Sequence, residues 1–261
     1  MPTALLQTFA SKLTLHLLLC TLLLLASDNR VQAKALRIAV PDYPPYTYVQ
    51  DKQLTGEGFQ AFDSIMAELD VEYRAEIVPH FGRSILDMEN NQLDAMLLAT
   101  ESPERSHLAE YSEPLFFTDW AWVWLTKRED INPENEHFKE IAVVSAQKNS
   151  NIYRWLALQD YQITPGTSDV RDLFNLLDHG RVDAIMLPAL TATTLINNNQ
   201  RDTKQYKIRK HIQLPYGIYV SKAYLVNHPD FMQKLNQAIK KYNDEIKQPV
   251  ARKTEVAAPK N

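Results

Sequence analysis

The chain has 261 residues, 45% hydrophobic and 23% charged, which suits one large domain or two smaller ones and excludes a disordered polymer. Lysines and arginines number 28 against 32 aspartates and glutamates, a net charge of −4, so no basic face for nucleic acid is expected. The single cysteine, Cys20, excludes a fold braced by disulfides.

The N-terminus carries one early cation, Lys12, then the apolar run LTLHLLLCTLLLLA (Leu13 to Ala26), then polar DNRVQAKA with small residues at Ala33 and Ala35. That order predicts a secretory signal peptide over residues 1–33, cut after Ala33 or Ala35. A membrane span needs about 20 apolar residues, so an uncleaved anchor is the weaker reading. Cys20 sits inside the apolar core behind Leu19, where lipid attachment wants a small residue, and lipidation is not expected. Loss of Lys12, Arg30 and Asp28 with the peptide leaves 26 basic and 31 acidic side chains, a net charge of −5. An exported chain without cysteine must be held by an ordinary core, which fits the bacterial periplasm.

After the peptide, Leu36 to Val40 (LRIAV) reads as a buried strand ended by the turn cluster PDYPPY. Phe59, Phe62, Ile65, Met66 and Leu69 recur with a helical period behind Gly56 and Gly58. Tyr73, Ala75 and Ile77 alternate as in a strand, Ile85 and Met88 mark a short helix, and DAMLLA (Asp94 to Ala99) reads as a second buried strand. Trp120, Trp122 and Trp124 fall on one face of a further strand. The pattern then restarts: a strand at Ile141 to Val144, a helix through Ile152, Trp155 and Leu156, and a helix over Ser168 to His179 with Val170, Leu173, Phe174 and Leu177 inward. Gly180 stands where a helix end wants a left-handed residue. Gly217 to Ser221 reads as a strand, Asp230 to Lys247 as a long helix, and residues 248–261 as a disordered tail.

NNQLDAMLLA (Asn90 to Ala99) and DHGRVDAIML (Asp178 to Leu187) share one order, with their aspartates 89 residues apart. One architectural unit used twice predicts an α/β protein of two lobes, each a mostly parallel sheet flanked by helices. Behind DAMLLA comes SPER. Ser102 is a suitable N-cap, Pro103 suits the first helical position and Glu104 the positive end of the helix dipole, which puts Arg105 in the first turn of a helix. That turn lies at the carboxyl end of a strand, where open α/β sheets bind ligands, and a guanidinium there suits a carboxylate. The competing reading is a surface arginine paired with Glu104 or Glu101.

Several stretches in order carry a resemblance: LRIAVPDYPPYTY, GEGFQAFDSIMAEL, LDAMLLATESPERSHLAEYSEPLF, GRVDAIM, LPYGIYVSKA and NHPDFMQKLNQAI. Over residues 36 to about 246 the chain resembles the family-3 periplasmic solute-binding proteins, which include the polar-amino-acid receptors of ABC importers. The resemblance implies a two-lobed type II periplasmic binding fold, lobe one over 36–125 plus 215–247, lobe two over 126–214, and a two-strand hinge. It implies that Arg105 clamps a ligand carboxylate and that Tyr43 covers the ligand; Phe81 resembles a family aromatic, which core packing explains equally well, and Thr100, at the end of the strand before the turn, is a weaker candidate for a hydroxyl donor.

The departures matter as much. Amino-acid receptors of that family carry an aspartate after the second-lobe strand for the ligand ammonium, and here VDAIMLPA places Pro188 there. An uncompensated buried ammonium costs several kcal/mol, so an ordinary α-amino acid is a doubtful ligand. The loop SAQKNSN (Ser145 to Asn151) also differs. Ser150 or Asn149 caps the next helix and Gln147 is a candidate amide contact, although capping alone explains the segment. Trp120 is a candidate stacking residue, core packing being the alternative, and Arg83 is either a second anion contact or, the preferred reading, a solvated helix-start residue.

The seven histidines show no metal-ligand spacing, and no G-x-S-x-G or phosphate-binding glycine loop is present, so no metal, cofactor or nucleotide is expected. The same fold hosts periplasmic dehydratases, in which Glu101 would be the proton donor, but a solvated glutamate is the better reading. The expectation is a monomeric, non-enzymatic receptor that closes two lobes around a small carboxylate-bearing solute for an inner-membrane ABC permease or a sensor.

Overall fold

The computed structural model describes residues 35–78, 81–198 and 201–255; the expected signal peptide lies outside the described residues. The chain enters as β1 (Leu36–Pro41), whose residues Leu36 and Ile38 to Pro41 are buried. A hairpin of β2 (Tyr48–Gln50) and β3 (Gln53–Thr55) leads to α1 (Glu57–Glu68). Gly56 enters that helix at φ 112°, and a Cβ there would stand 2.4 Å from the Tyr46 carbonyl oxygen, so only glycine makes the turn. Helical spacing puts Ala61, Phe62, Ile65 and Met66 on the buried face. Each large side chain so covered contributes about 2 kcal/mol.

β4 (Tyr73–Val78), α2 (Phe81–Glu89) and β5 (Ala95–Ala99) complete the first unit, with β4 and β5 both parallel to β1. A single 3-10 turn, Pro103–Arg105, then leads to β6 (Ala109–Tyr111). The expected helix at Arg105 is therefore corrected to one turn. Ser102 does not cap it: its hydroxyl donates to the Glu104 carboxylate at 2.5 Å and its backbone N–H donates to the Tyr219 hydroxyl at 2.6 Å.

β7 (Phe116–Leu125) crosses to the second lobe. There Phe138–Ile141 forms a helical turn, α3, and the strand β8 begins only at Val143 and ends at Ser145. The expected strand start at Ile141 gives way because Phe138 docks edge-on against Trp122, ring centroids 4.9 Å apart, and winds the chain into a turn. α4 (Asn151–Leu158), β9 (Gln162–Ile163), α5 (Asp172–Asp178), β10 (Ala184–Pro188) and α6 (Ala189–Asn198) follow. α5 starts later than Ser168 because the Asp169 carboxylate accepts from the Arg171 N–H and holds that stretch as a turn. Val170, Leu173, Phe174 and Leu177 are inward as the period predicted, and Gly180 is left-handed at φ 66°.

The return strand β11 (Tyr206–Ser221) is far longer than the Gly217 to Ser221 legible in the sequence. It pairs antiparallel with β7 from Tyr206 to Tyr216 and with β5 at Gly217 to Val220, so β7 and β11 are the two strands that join the lobes. β7 also pairs with β10 from Trp120 to Trp124, which places the tryptophan stripe in the second lobe's aromatic core with Phe138, Ile152, Leu156 and Met186. The sheet order is β4-β1-β5-β11-β7-β10-β8-β9. α7 (Lys222–Asn227) and α8 (Phe231–Glu255) end the described chain, with Leu235 and Ile239 fully buried. α8 runs eight residues beyond Lys247, into the stretch expected as a tail; residues 256–261 lie outside the described residues.

The repeat seen in the sequence is a repeat in space. The Asp94 carboxylate accepts from the Arg37 N–H at 2.9 Å while its own N–H donates to the Arg37 carbonyl at 2.9 Å. Asp183 does the same with Val143, at 2.8 and 2.7 Å. The next residues hold matching register, Ile38 opposite Ala95 and Val144 opposite Ala184. Each aspartate also takes a guanidinium, Arg37 on Asp94 at 2.6 Å and Arg128 on Asp183 at 2.5 Å.

Candidate functional site

The carboxyl ends of β1 and β5 face the amino end of α4 across the lobes. Between them lies a cavity of about 20 Å³, lined by Tyr43, Thr100, Arg105, Trp120, Ser150 and Asn151 together with Phe81 and Tyr216. That is space for about one water molecule.

Its floor is shaped by a fault in β5. Leu98 is left-handed, φ 57°, and the pairing with β11 shifts there, with Met96 opposite Tyr219 but Ala99 opposite Gly217. A bulge of this kind re-aims the residues that follow it, here Ala99 and Thr100, and a leucine in the left-handed region stores strain beside the site.

Arg105 is only 5% exposed. Its guanidinium lies over the rings of Tyr219 and Phe81, 5.4 and 5.7 Å from their centroids, contacts that favour a cation. Nη2 donates to the Asn151 side-chain oxygen at 3.0 Å, while Nε and Nη1 are buried without a hydrogen-bond partner. Among the described residues no carboxylate pairs with it, and neither Glu104 nor Glu101 takes the role the surface reading offered. Burial pulls its pKa below the ordinary value, opposed by Tyr219 and Tyr111. A charged group held this way has donors to spare and no counter-charge.

The other expected site residues divide. Tyr43 is buried at the end of β1, its ring in the cavity wall, and burial pushes its hydroxyl pKa well up. Thr100 offers its carbonyl oxygen, 2.9 Å from the Asn151 side-chain nitrogen, and its hydroxyl oxygen to the same nitrogen. It acts here as acceptor rather than donor. Trp120 lines the cavity with its indole N–H unpartnered and its ring edge-on to Trp155. Ser150 caps α4, its hydroxyl accepting from the Tyr153 N–H at 3.1 Å, while Asn149 takes a left-handed turn. Asn149 packs across the lobes onto Gly82, where a Cβ would stand 2.8 Å from its side-chain nitrogen. Gln147 is not in the cavity wall: it donates to the Ser168 carbonyl at 3.0 Å and bridges Thr167. Arg83 pairs with Asp87 one turn along α2 and lies on the surface.

Away from β7 and β11, and among the described residues, the second lobe reaches the first through Asn151, Arg171 and Arg154, and sequence reasoning missed all three. Asn151 reaches Thr100 and Arg105. Arg171 grips Asp42 with two hydrogen bonds, 2.8 and 3.3 Å, and Arg154 pairs with Glu104. The available signal was position alone: Asp42 and Glu104 flank the two strand ends already marked by Tyr43 and Arg105. Among the described residues no group of His, Cys, Asp and Glu is placed to hold a metal ion, and no helix is long and apolar enough to cross a membrane.

Solved structures share this architecture. Holo ArgBP from T. maritima is 20% identical with a TM-score of 0.67, covering 80% of this chain and 90% of its own. The arginine-, lysine-, histidine-binding protein ArtJ from Geobacillus stearothermophilus is 16% identical with a TM-score of 0.69, covering 87% and 97%. An ancestral arginine-binding protein bound to glutamine is 20% identical with a TM-score of 0.68, covering 80% and 92%. No curated protein sequence matches the chain. The fold is thus the two-lobed periplasmic binding fold, and the profile of the bacterial extracellular solute-binding proteins, family 3, matches residues 36–249. The chain belongs to that family.

Proposed function

We propose that this solute-binding protein takes a small carboxylate-bearing molecule between its lobes in the periplasm and presents it, as a monomer, to an inner-membrane ABC permease or a sensor. The observation that carries the reading is Arg105, a buried guanidinium whose neighbours Asn151, Tyr219 and Phe81 are all neutral and which no carboxylate among the described residues pairs with. A carboxylate satisfies its hydrogen bonds and its charge together.

The similar proteins named above bind amino acids, and Thr100 does offer two oxygens to an N–H donor. Two acids at the rim, however, are engaged, Asp42 by Arg171 and Glu104 by Arg154, and Pro188 closes β10 against Trp120. A cavity wall whose one charged residue is Arg105 favours a monoanionic organic acid, or an amino-acid-like molecule whose amine is masked, over a free zwitterion.

A thermal-shift panel of monocarboxylates, dicarboxylates, α-amino acids and amines tests this, followed by calorimetry on Arg105→Met. At least one carboxylate raises the melting temperature, and Arg105→Met weakens it about a hundredfold, as expected for a charged hydrogen-bonded pair worth about 3 kcal/mol. The variant itself melts no lower than wild type, since it removes an uncompensated buried charge. Stabilisation by amines alone, or binding unchanged in the variant, overturns the reading.

A further inference from the structure

The Asn151 side chain fills the same hydrogen-bonding positions that a solute would use. Its oxygen accepts a hydrogen bond from Arg105 Nη2 at 3.0 Å, and its nitrogen donates to the Thr100 carbonyl at 2.9 Å and to the Thr100 hydroxyl. It arrives from the opposite lobe, at the first residue of α4, held there by the Ser150 cap. What it leaves beside Arg105 is a cavity of about 20 Å³, too small for any carboxylate carrying even one methyl group. A solute that reaches Arg105 must therefore move this carboxamide.

We infer that Asn151 is the specificity-determining residue of the cleft, an internal competitor that a solute must displace from Arg105 and Thr100. The inference rests on the reading of Arg105 as a carboxylate site. A neutral amide offers the guanidinium one acceptor oxygen and no charge, whereas a carboxylate offers two oxygens and a full negative charge. The carboxamide thus sets a threshold that anionic solutes pass and neutral ones do not. The other two links behave differently. Arg154 with Glu104 and Arg171 with Asp42 lie at the rim and touch neither Arg105 nor Thr100, so they persist when a solute sits between the lobes and favour closure around it.

Opposite signs follow for the two kinds of link. Asn151→Ala removes a competitor, so acetate, used as the probe, reaches half-maximal thermal stabilisation at about tenfold lower concentration than in wild type. Arg154→Ala removes a supporting contact, so acetate is needed at higher concentration. Small-angle X-ray scattering without added carboxylate gives a larger radius of gyration for Asn151→Ala than for wild type, because a lobe-to-lobe link is gone, and acetate restores the compact form. If Asn151→Ala is as compact as wild type and needs more acetate, Asn151 is a ligand contact and the inference is overturned. If Asn151→Ala expands but neither protein responds to acetate or to any carboxylate of the panel, the lobe-to-lobe link stands while the carboxylate reading of Arg105 falls.

Discussion

The two lobes repeat one unit down to the residue, yet they end their central strands in opposite ways. In both, an aspartate before the strand clamps the backbone of the neighbouring strand and takes a guanidinium, Asp94 with Arg37 and Asp183 with Arg128. Past the strand they diverge. β5 buckles at Leu98 and releases Thr100 and Arg105 into the cleft, whereas β10 runs straight into Pro188 and α6. The amino end of each strand is therefore scaffold, and the carboxyl end is free to differ. At the cavity itself one lobe supplies the charge of Arg105, and the other supplies the neutral carboxamide of Asn151.

The firmest way to break this comparison is at the shared part. Asp94→Ala and Asp183→Ala should each cost about 2 kcal/mol in urea unfolding, because each strips hydrogen bonds from a backbone N–H and a half-buried guanidinium. Asp94→Ala should be the costlier, its side chain being 11% exposed against 18% for Asp183. If Asp183→Ala proves neutral, the repeat is one of sequence pattern and not of mechanism.

A smaller effect separates the lobes at their rim. Arg171→Ala should leave the unfolding free energy within about 1 kcal/mol of wild type, because the pair with Asp42 is partly solvated, yet weaken carboxylate binding about threefold by favouring separated lobes. Equal affinity in calorimetry would show that the pair does not bear on closure.

The smallest expected effect lies in the second lobe alone. His211 rests against the rings of Trp122 and Trp155, and burial draws its pKa below the ordinary 6.5. The folded state thus binds this proton less readily than the unfolded chain. The contribution is complete above the unfolded value and declines as pH falls through about 6.5. His211→Gln should flatten the dependence of melting temperature on pH between about 7.5 and 5.5, by a margin kept small by the imidazole's partial exposure. An unchanged slope would remove His211 from the account.

Much of the scaffold was legible because its signals are local. Continuous apolar runs such as LRIAV and AMLLA mark strands buried on both faces, and the spacing of Phe62, Ile65 and Met66 marks a helix face. β11 was legible only at Gly217 to Ser221, because its first half is exposed and carries Lys207, Arg209 and Lys210 on a strand whose partner is the distant β7. The helix expected at SPER shrank to a turn because Ser102 spends its hydrogen bonds on Glu104 and Tyr219 instead of on a cap. Gln147 was a candidate amide contact in a segment that capping alone explained, and in the fold its side-chain nitrogen donates to the Ser168 carbonyl, a contact between loops that no local pattern records.

The sequence by itself determined the α/β class, the doubled unit and a cation at the end of a central strand, because periodicity, turn chemistry and residue type act over a few neighbouring positions. Only the tertiary structure decided that Arg105 is buried without an acid, that Asn151 stands against it, and that Asp42 and Glu104 meet Arg171 and Arg154. Those contacts join residues 46 to 129 positions apart. They exist because β7 and β11 bring the ends of two separate sheets together, and no local pattern records which side chains then meet.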